Sequence, residues 1–377
     1  MNDILWTPSP ERYAASTMAA FERFLQEKHG LTFTDYNAMW RWSVDDLNAF
    51  WGAIWEFFDV QASVPCTKVL AKRQMPGAEW CPGAMLNFTD QIMKHVDSQP
   101  DGDALIVQSE TFGRKVLSWS DLRAQVASVA ARLRGIGVEQ GDRVVAVLPN
   151  TETAMIAFLA TASIGAIWSL CAPDMGHVAI LDRFKQIEPK VLIAQDGYVH
   201  AGKTIDRREI LAGIEAELSS LVQCVTVPFV GDLPAGHVAW DDLLHDKVDY
   251  TSTQVPFDHP LWIVYSSGTT GNPKPIVHGH GGIILESAKQ SLHHDFKRGG
   301  RYCWLTSSGW IMWNSQFTAL GQGTTVAMFD GAPNYPDMGV IWRFVADEKL
   351  DFFGAGAAFF SGCMKAGIKP REEVDLS

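Results

Sequence analysis

Tyr265 to Gly282 reads YSSGTTGNPKPIVHGHGG. An apolar run before it, Leu261 to Val264, reads as a strand, and a helix-like pattern begins near Gly282. Ser266, Ser267, Thr269 and Thr270 put four hydroxyls into five positions. Gly268 and Gly271 let the backbone turn tightly and approach a ligand closely. Lys274 adds a mobile cation. Backbone N–H groups, hydroxyls and one lysine at a strand end make the donor set that a polyphosphate needs. The spacing is not that of a Walker loop, in which a Gly-Lys-Ser/Thr triplet enters a helix directly. Here Gly271 is followed by Asn272, Pro273 and Lys274, and Pro275 excludes an immediate helix interior.

The string SSGTTGNPK resembles the phosphate-binding signature of the AMP-forming acyl-adenylate synthetases. The likeness extends along the chain. Trp6 with Pro8 and Ser9, Trp40 to Val44 and Phe50-Trp51 look like the N-terminal extension of the acetyl-CoA and acetoacetyl-CoA synthetase branch. Leu181 to Phe184, Ile187 to Lys190 and Phe329 to Pro333 look like the acetoacetyl-CoA part of that branch. One departure is Pro275, where most of the superfamily has glycine; it stiffens the loop exit and leaves the phosphate-facing residues unchanged.

The resemblance implies a two-step ligase. A carboxylate attacks the α-phosphorus of ATP to give acyl-AMP and pyrophosphate, and the thiol of coenzyme A then displaces AMP. Ser266, Ser267, Gly268, Thr269, Thr270, Gly271 and Lys274 would hold the ATP phosphates with Mg²⁺, Thr269 and Lys274 acting on the reacting centre. Trp310, Ile311 and Met312, within Ser307 to Asn314, would line the acyl pocket. His200 and Lys203 stand where the acetyl branch tends to carry two arginines that meet coenzyme A. A lysine there can meet a phosphate without arginine's bidentate fork, and it reads equally as a solvated loop lysine. Trp313 reads equally as core packing. The implied acid is acetoacetate, with an acetyl- or propionyl-CoA synthetase as the alternative and a noncatalytic nucleotide-binding module as the reading from another class.

Composition sets the outer bounds. A chain of 377 residues with 47% hydrophobic content can bury a large core. Its net charge of −12 argues against nucleic acid or an anionic membrane as the main partner. Small anionic substrates must then meet local positive sites. Cysteines at 66, 81, 171, 224, 303 and 363 form no CxxC pair, which predicts free thiols in a reducing cytoplasm and no zinc ribbon. His278 and His280, two apart, would share a strand face without enough ligands for a metal; no metal ligands are assigned. No run approaches the ~20 apolar residues of a membrane span.

The periodicity predicts an α/β fold of mostly parallel sheets covered by helices, with a helical N-terminal extension. That extension covers residues 1–87, and a truncated adenylation domain covers 88–377, with a subdomain boundary near 231–260. The family's C-terminal domain is not found in this sequence. Met18, Phe21, Phe24 and Leu25 mark one helix, and Ser43 to Asp46 reads as the start of the next aromatic-striped one. Further on, Ser120 reads as a helix cap. Strands are expected at Ala104 to Ser109, Arg143 to Leu148, Ala166 to Cys171, Val191 to Ala194, Leu221 to Val227, Tyr302 to Leu305 and Thr324 to Phe329. Helices are expected near 281–294, 338–347 and 356–366.

Overall fold

The computed structural model describes residues 6–266 and 271–376. Among them, two sheets carry the architecture. The larger runs Val238–Ala239, Gln223–Val227, Val191–Gln195, Arg143–Val147, Ile167–Cys171, Pro260–Ser266 and Lys274–Gly279, in that spatial order. All its neighbouring pairs are parallel except the last. The smaller runs Phe352–Ala355, Arg301–Leu305, Thr325–Asp330, Asp103–Ser109 and Gly113–Ser118, again parallel except for its last pair. Each sheet thus ends in an antiparallel strand. Strands cross the 231–260 segment in both directions, since Pro260–Ser266 completes the larger sheet and Asp103–Ser109 belongs to the smaller.

The strands are near-continuous apolar runs because both faces are covered. Val144 and Ala146 join the central core, while their neighbours Val145 and Val147 join a second cluster with Ile180, Phe184 and Ile214. Alternate side chains of one strand therefore serve opposite faces. Between the sheets runs the helix Glu152–Ser163, every residue of which is buried. It touches Asp103–Ser109 in one sheet and Ile167–Cys171 in the other. A helix apolar all round belongs in that place. Its Phe158 lies 4.5 Å from Phe317 and 5.6 Å from Trp262 between ring centroids. Truncating such a residue to alanine costs about 3–5 kcal/mol.

The N-terminal helices Thr17–His29, Tyr36–Asp45 and Leu47–Phe57 pack onto this body, with Phe21, Leu25 and Ile54 in the shared core. Thr17 donates from both its backbone N–H and its hydroxyl to Asp295, each at 2.7 Å. Two cap expectations shift. Ser43 lies inside a helix, and Asp46 caps the next one by accepting from Ala49 N–H at 3.0 Å. The long helix Trp119–Gly135 is capped by Ser118 rather than Ser120, the hydroxyl accepting from Asp121 N–H. In both places a better-placed acceptor ahead of the helix fills the role.

The thiol expectation is corrected in part. Cys66 and Cys81 form a disulfide with Cα atoms 5.0 Å apart, and Cys171, Cys224, Cys303 and Cys363 are free and buried. Their separation of 15 positions gave no motif, but chain folding brings the two within bonding range. No helix among the described residues is long and apolar enough to cross a membrane.

Candidate active site

The strand Pro260–Ser266 delivers Ser266 at its C-terminal end, where open parallel sheets bind ligands. Ser267, Gly268, Thr269 and Thr270 lie outside the described residues. The chain returns through Gly271, whose φ of +95 suits glycine alone, and Lys274 then pairs opposite Ser266. The return segment, Lys274–Gly279, is the sheet's edge strand, of which the sequence reading saw only the strand spacing of His278 and His280. Pro275 is tolerated there because an edge strand leaves one side without a ladder partner. Lys274 is exposed and forms no ion pair among the described residues, which leaves its ammonium available to a ligand.

A cavity of about 360 Å³ opens beside this strand end. Its wall includes Ser266, Trp310 and Ile311, so the phosphate-loop start and part of the candidate acyl segment meet in one place. Trp310 is 68% exposed and precedes the short helix Ile311–Asn314. Met312 is set apart from Trp310: together with Ile311, which borders both cavities, it lines a second one, of about 870 Å³, beside Trp40, Val44 and Trp51 of the N-terminal helices. Trp313 is buried, edge-on to Phe317 at 5.2 Å, as core packing.

Two wall residues were not singled out in the sequence. Arg183 stands in the cavity wall with its guanidinium 5.7 Å from the centre of the Tyr265 ring, and the Tyr265 hydroxyl donates to its carbonyl at 2.8 Å. Its only signal was membership of the Leu181 to Phe184 string. Trp168 also lines the wall, and its buried indole N–H has no hydrogen-bond partner among the described residues. The described wall holds Arg183 and no carboxylate. Such a wall suits an anion and offers Mg²⁺ no carboxylate.

The histidines separate. Trp262 donates to His278 Nδ1 at 2.8 Å. His280 begins the helix His280–His294 instead of sharing the strand face, and its Nδ1 accepts from Phe88 N–H at 3.1 Å. Burial drives the His280 pKa down to about 3, which keeps the ring neutral. His280 is a packing residue here, while His278 borders both the cavity beside Ser266 and the larger one beside the N-terminal helices. His293 and His294 are exposed.

A third cavity, of about 400 Å³, lies where strand ends of the two sheets meet, with Asn150, His200, Ser307 and Asp330 in its wall. His200 and Lys203 face each other across the hairpin of Gly197–His200 and Lys203–Asp206. Both are exposed, and Lys203 is not part of that wall. Glu110 holds the hairpin turn by accepting from Ala201 N–H at 3.3 Å and Gly202 N–H at 2.9 Å, and it also accepts from Ala332 N–H at 2.5 Å. Beside it, Ser109 donates to Asp330 at 2.7 Å. Burial, reinforced by the nearby charges of Glu110 and Glu152, raises the Asp330 carboxyl to about 6.

Comparison with known proteins agrees with this fold. Residues 36–92 match the family described as acetyl-coenzyme A synthetase N-terminus. An acetoacetyl-coenzyme A synthetase of Rhizobium meliloti is 38% identical, covering 99% of this chain and 58% of the relative. A malonamoyl-CoA synthetase of Penicillium aethiopicum is 30% identical over 98% of this chain and 55% of its own length. The solved acetoacetyl-CoA synthetase of Streptomyces lividans superposes with a TM-score of 0.97 at 44% identity, covering 99% of this chain and 58% of that one. The chain thus spans somewhat more than half the length of the relatives it matches. Residues 92–377 match the AMP-binding enzyme family, and the chain belongs to that family.

Proposed function

We propose that this chain forms the acid-activating part of an acetoacetate–CoA ligase. The observation that carries the reading is the single cavity shared by Ser266 at the phosphate-loop start and Trp310 and Ile311 of the acyl segment. An acid held against Trp310 and Ile311 would present its carboxylate to ATP bound along the loop. Carboxylate oxygen attacks the α-phosphorus, and pyrophosphate leaves with the electrons of the broken P–O bond. By the family resemblance, Thr269, Thr270, Gly271 and Lys274 would follow that departing charge, where positioned donors contribute most. The thiol sulfur of coenzyme A then attacks the acyl carbon, AMP leaves, and the thiol proton passes to solvent.

Acetoacetate differs from acetate and propionate in carrying a keto oxygen. A site built to donate to that oxygen discriminates against acids that lack one. His200 and Lys203, on the hairpin that Glu110 holds, would meet the phosphates of coenzyme A. The similarity to both acetoacetyl- and malonamoyl-CoA synthetases supports a small acid with a β-carbonyl group.

The test is acid-dependent ATP–pyrophosphate exchange. It is run on this chain and on a fusion that continues it with the corresponding remainder of the Rhizobium meliloti relative. The reading expects the fusion to exchange faster with acetoacetate than with malonamate, acetate or propionate. A higher specificity constant for acetate or propionate assigns the chain to a sister ligase. ATP binding without exchange, in a folded fusion, leaves the noncatalytic nucleotide-binding module.

A further inference from the structure

At the edge of the larger sheet opposite the phosphate loop, side chains of three different chemistries converge. Glu215 lies in the last turn of the helix Arg208–Glu217, and Cys224 is the second residue of the strand Gln223–Val227. His237 immediately precedes the edge strand Val238–Ala239. One donor atom from each lies within 4.8 Å of the others. Glu215 Oε2 and His237 Nε2 are 3.0 Å apart, and His237 Nδ1 is 2.7 Å from Thr226 Oγ1. Cys224 is buried, and the His237 side chain is only 13% exposed.

We propose that Glu215, Cys224 and His237 form a binding site for a zinc-type divalent metal ion that fastens the short edge strand to the sheet and the neighbouring helix. A thiolate, an imidazole and a carboxylate are a donor set for zinc; calcium and magnesium take oxygen ligands. Donor atoms around a tetrahedral zinc, bound at about 2.0–2.3 Å, stand about 3.3–3.6 Å from one another. The observed spread needs only a small side-chain adjustment to reach that spacing. Cys224 and Thr226 are two apart on one strand, so they share a face. The same face thus supplies a ligand and the hydroxyl that engages His237 Nδ1, leaving Nε2 to the metal. Metal-binding histidines are characteristically oriented this way by a partner on the other nitrogen.

Binding balances simply. The Cys224 thiol gives one proton to solvent, the His237 proton that Nε2 shares with Glu215 moves to Nδ1 to face Thr226 Oγ1, and the Glu215 carboxylate binds as it stands. A water completes four-coordination. With two negative ligands and a dication the assembly carries no net charge, which suits a site of low exposure. Four strand spacings separate Gln223–Val227 from Pro260–Ser266, about 19 Å at ~4.8 Å per strand. The site is therefore a structural clip, independent of the proposed ligase chemistry.

The experiment titrates the metal-stripped chain with Co²⁺ under reducing conditions. One equivalent should bind, with a thiolate-to-cobalt charge-transfer band and the visible bands of a tetrahedral ion, and Zn²⁺ should displace it. Zn²⁺ should also raise the thermal unfolding midpoint. Cys224→Ser should remove the charge-transfer band, and Glu215→Gln should weaken binding, while Cys363→Ser changes neither. Thr226→Val should keep the band and weaken binding by about 10–100-fold. Circular dichroism checks that each variant folds; if Cys224→Ser does not, the Glu215→Gln and Thr226→Val titrations decide. No saturable binding at one equivalent, or binding unchanged in those two variants, or a band that survives in folded Cys224→Ser, overturns the proposal.

Discussion

The return strand of the phosphate loop and the corner around Asp330 both sit at sheet ends beside a cavity, and they are built in opposite ways. Lys274, Pro275, Ile276 and Val277 are exposed, on a strand paired along one side only. Around Asp330 the hydrogen bonds are nearly saturated: Ser109 holds its carboxyl, and Glu110 accepts from three backbone N–H groups on two separate segments. A Cβ on Gly331 would stand 2.6 Å from Glu110 Oε1, at a φ of +149 that already disfavours side chains. One region has free donors and little packing to lose; the other has its polar groups spent on holding the backbone. Segments with few buried contacts open at low cost, as the proposed admission and release of a polyphosphate would require. A hairpin proposed to present two side chains at fixed positions would require the reverse.

The contrast is most exposed to failure at Lys274. In the fusion, Lys274→Ala should slow acetoacetate-dependent pyrophosphate exchange by about 10²–10³-fold, the scale for removing one positioned charge-stabilising group. Its unfolding free energy should move by less than ~0.5 kcal/mol, because the side chain is exposed and unpaired. Parallel losses of activity and stability would erase the distinction between the two regions.

Glu110→Ala should show the inverse pattern. It strands three N–H groups, and hydrogen bonds to a charged acceptor contribute about 1.5–3 kcal/mol each, though not additively. Urea unfolding of this chain should report a loss of about 2–3 kcal/mol. In the fusion, KM for coenzyme A should rise while acid-dependent exchange, which needs no coenzyme A, changes little. An equal fall in exchange would mean that the corner supports the first half-reaction as well.

These two regions also differ in what the sequence displayed. The phosphate loop was legible because its donors are consecutive, and the central strands because burial on both faces makes them apolar runs. Most of the return strand was hidden by Pro275, which reads as loop and is tolerated only at an edge; the spacing of His278 and His280 showed only its end. Glu110 left no signal, since its partners Ala201, Gly202 and Ala332 lie about 90 and 220 positions away. Trp168 and Arg183 were silent for the same reason: tertiary packing brings them to Ser266. Glu215, Cys224 and His237 are close in sequence, but their spacings of 9 and 13 positions match no ligand motif, and a strand, a helix end and a loop must assemble before the three meet.

Asp330 tests the corner through pH. Its carboxyl is raised from an ordinary 3.8 to about 6, so the native chain keeps its proton to higher pH than the unfolded chain does. The native state then binds more protons across that window, and its stability falls as pH rises from about 4 to about 6. Asp330→Asn removes this loss while an amide oxygen can still accept from Ser109. Urea unfolding across a pH series should find the variant more stable than the parent by about 1–2 kcal/mol at pH 7, with the difference gone near pH 4. A pH-independent difference would mean that the aspartate is ionised throughout and that Ser109 outweighs burial.

The smallest effect is expected at Trp310. Its ring is 68% exposed, so little packing is lost on truncation, and the helix behind it is held by Trp313 in the core. Trp310→Ala should therefore leave the unfolding free energy within ~0.5 kcal/mol. Its effect should appear in acid choice, because the ring forms one wall of the cavity that would enclose the acyl group. Opening an apolar wall changes discrimination by about the value of one methylene, ~1–3 kcal/mol, and an exposed wall should give the lower end. The ratio of specificity constants for acetoacetate over a longer β-keto acid should fall about fivefold in the fusion, a shift of ~1 kcal/mol. If Trp310→Ala leaves every ratio unchanged, the acid does not reach that wall, and the cavity that Met312 shares with the N-terminal helices becomes the place to look for it.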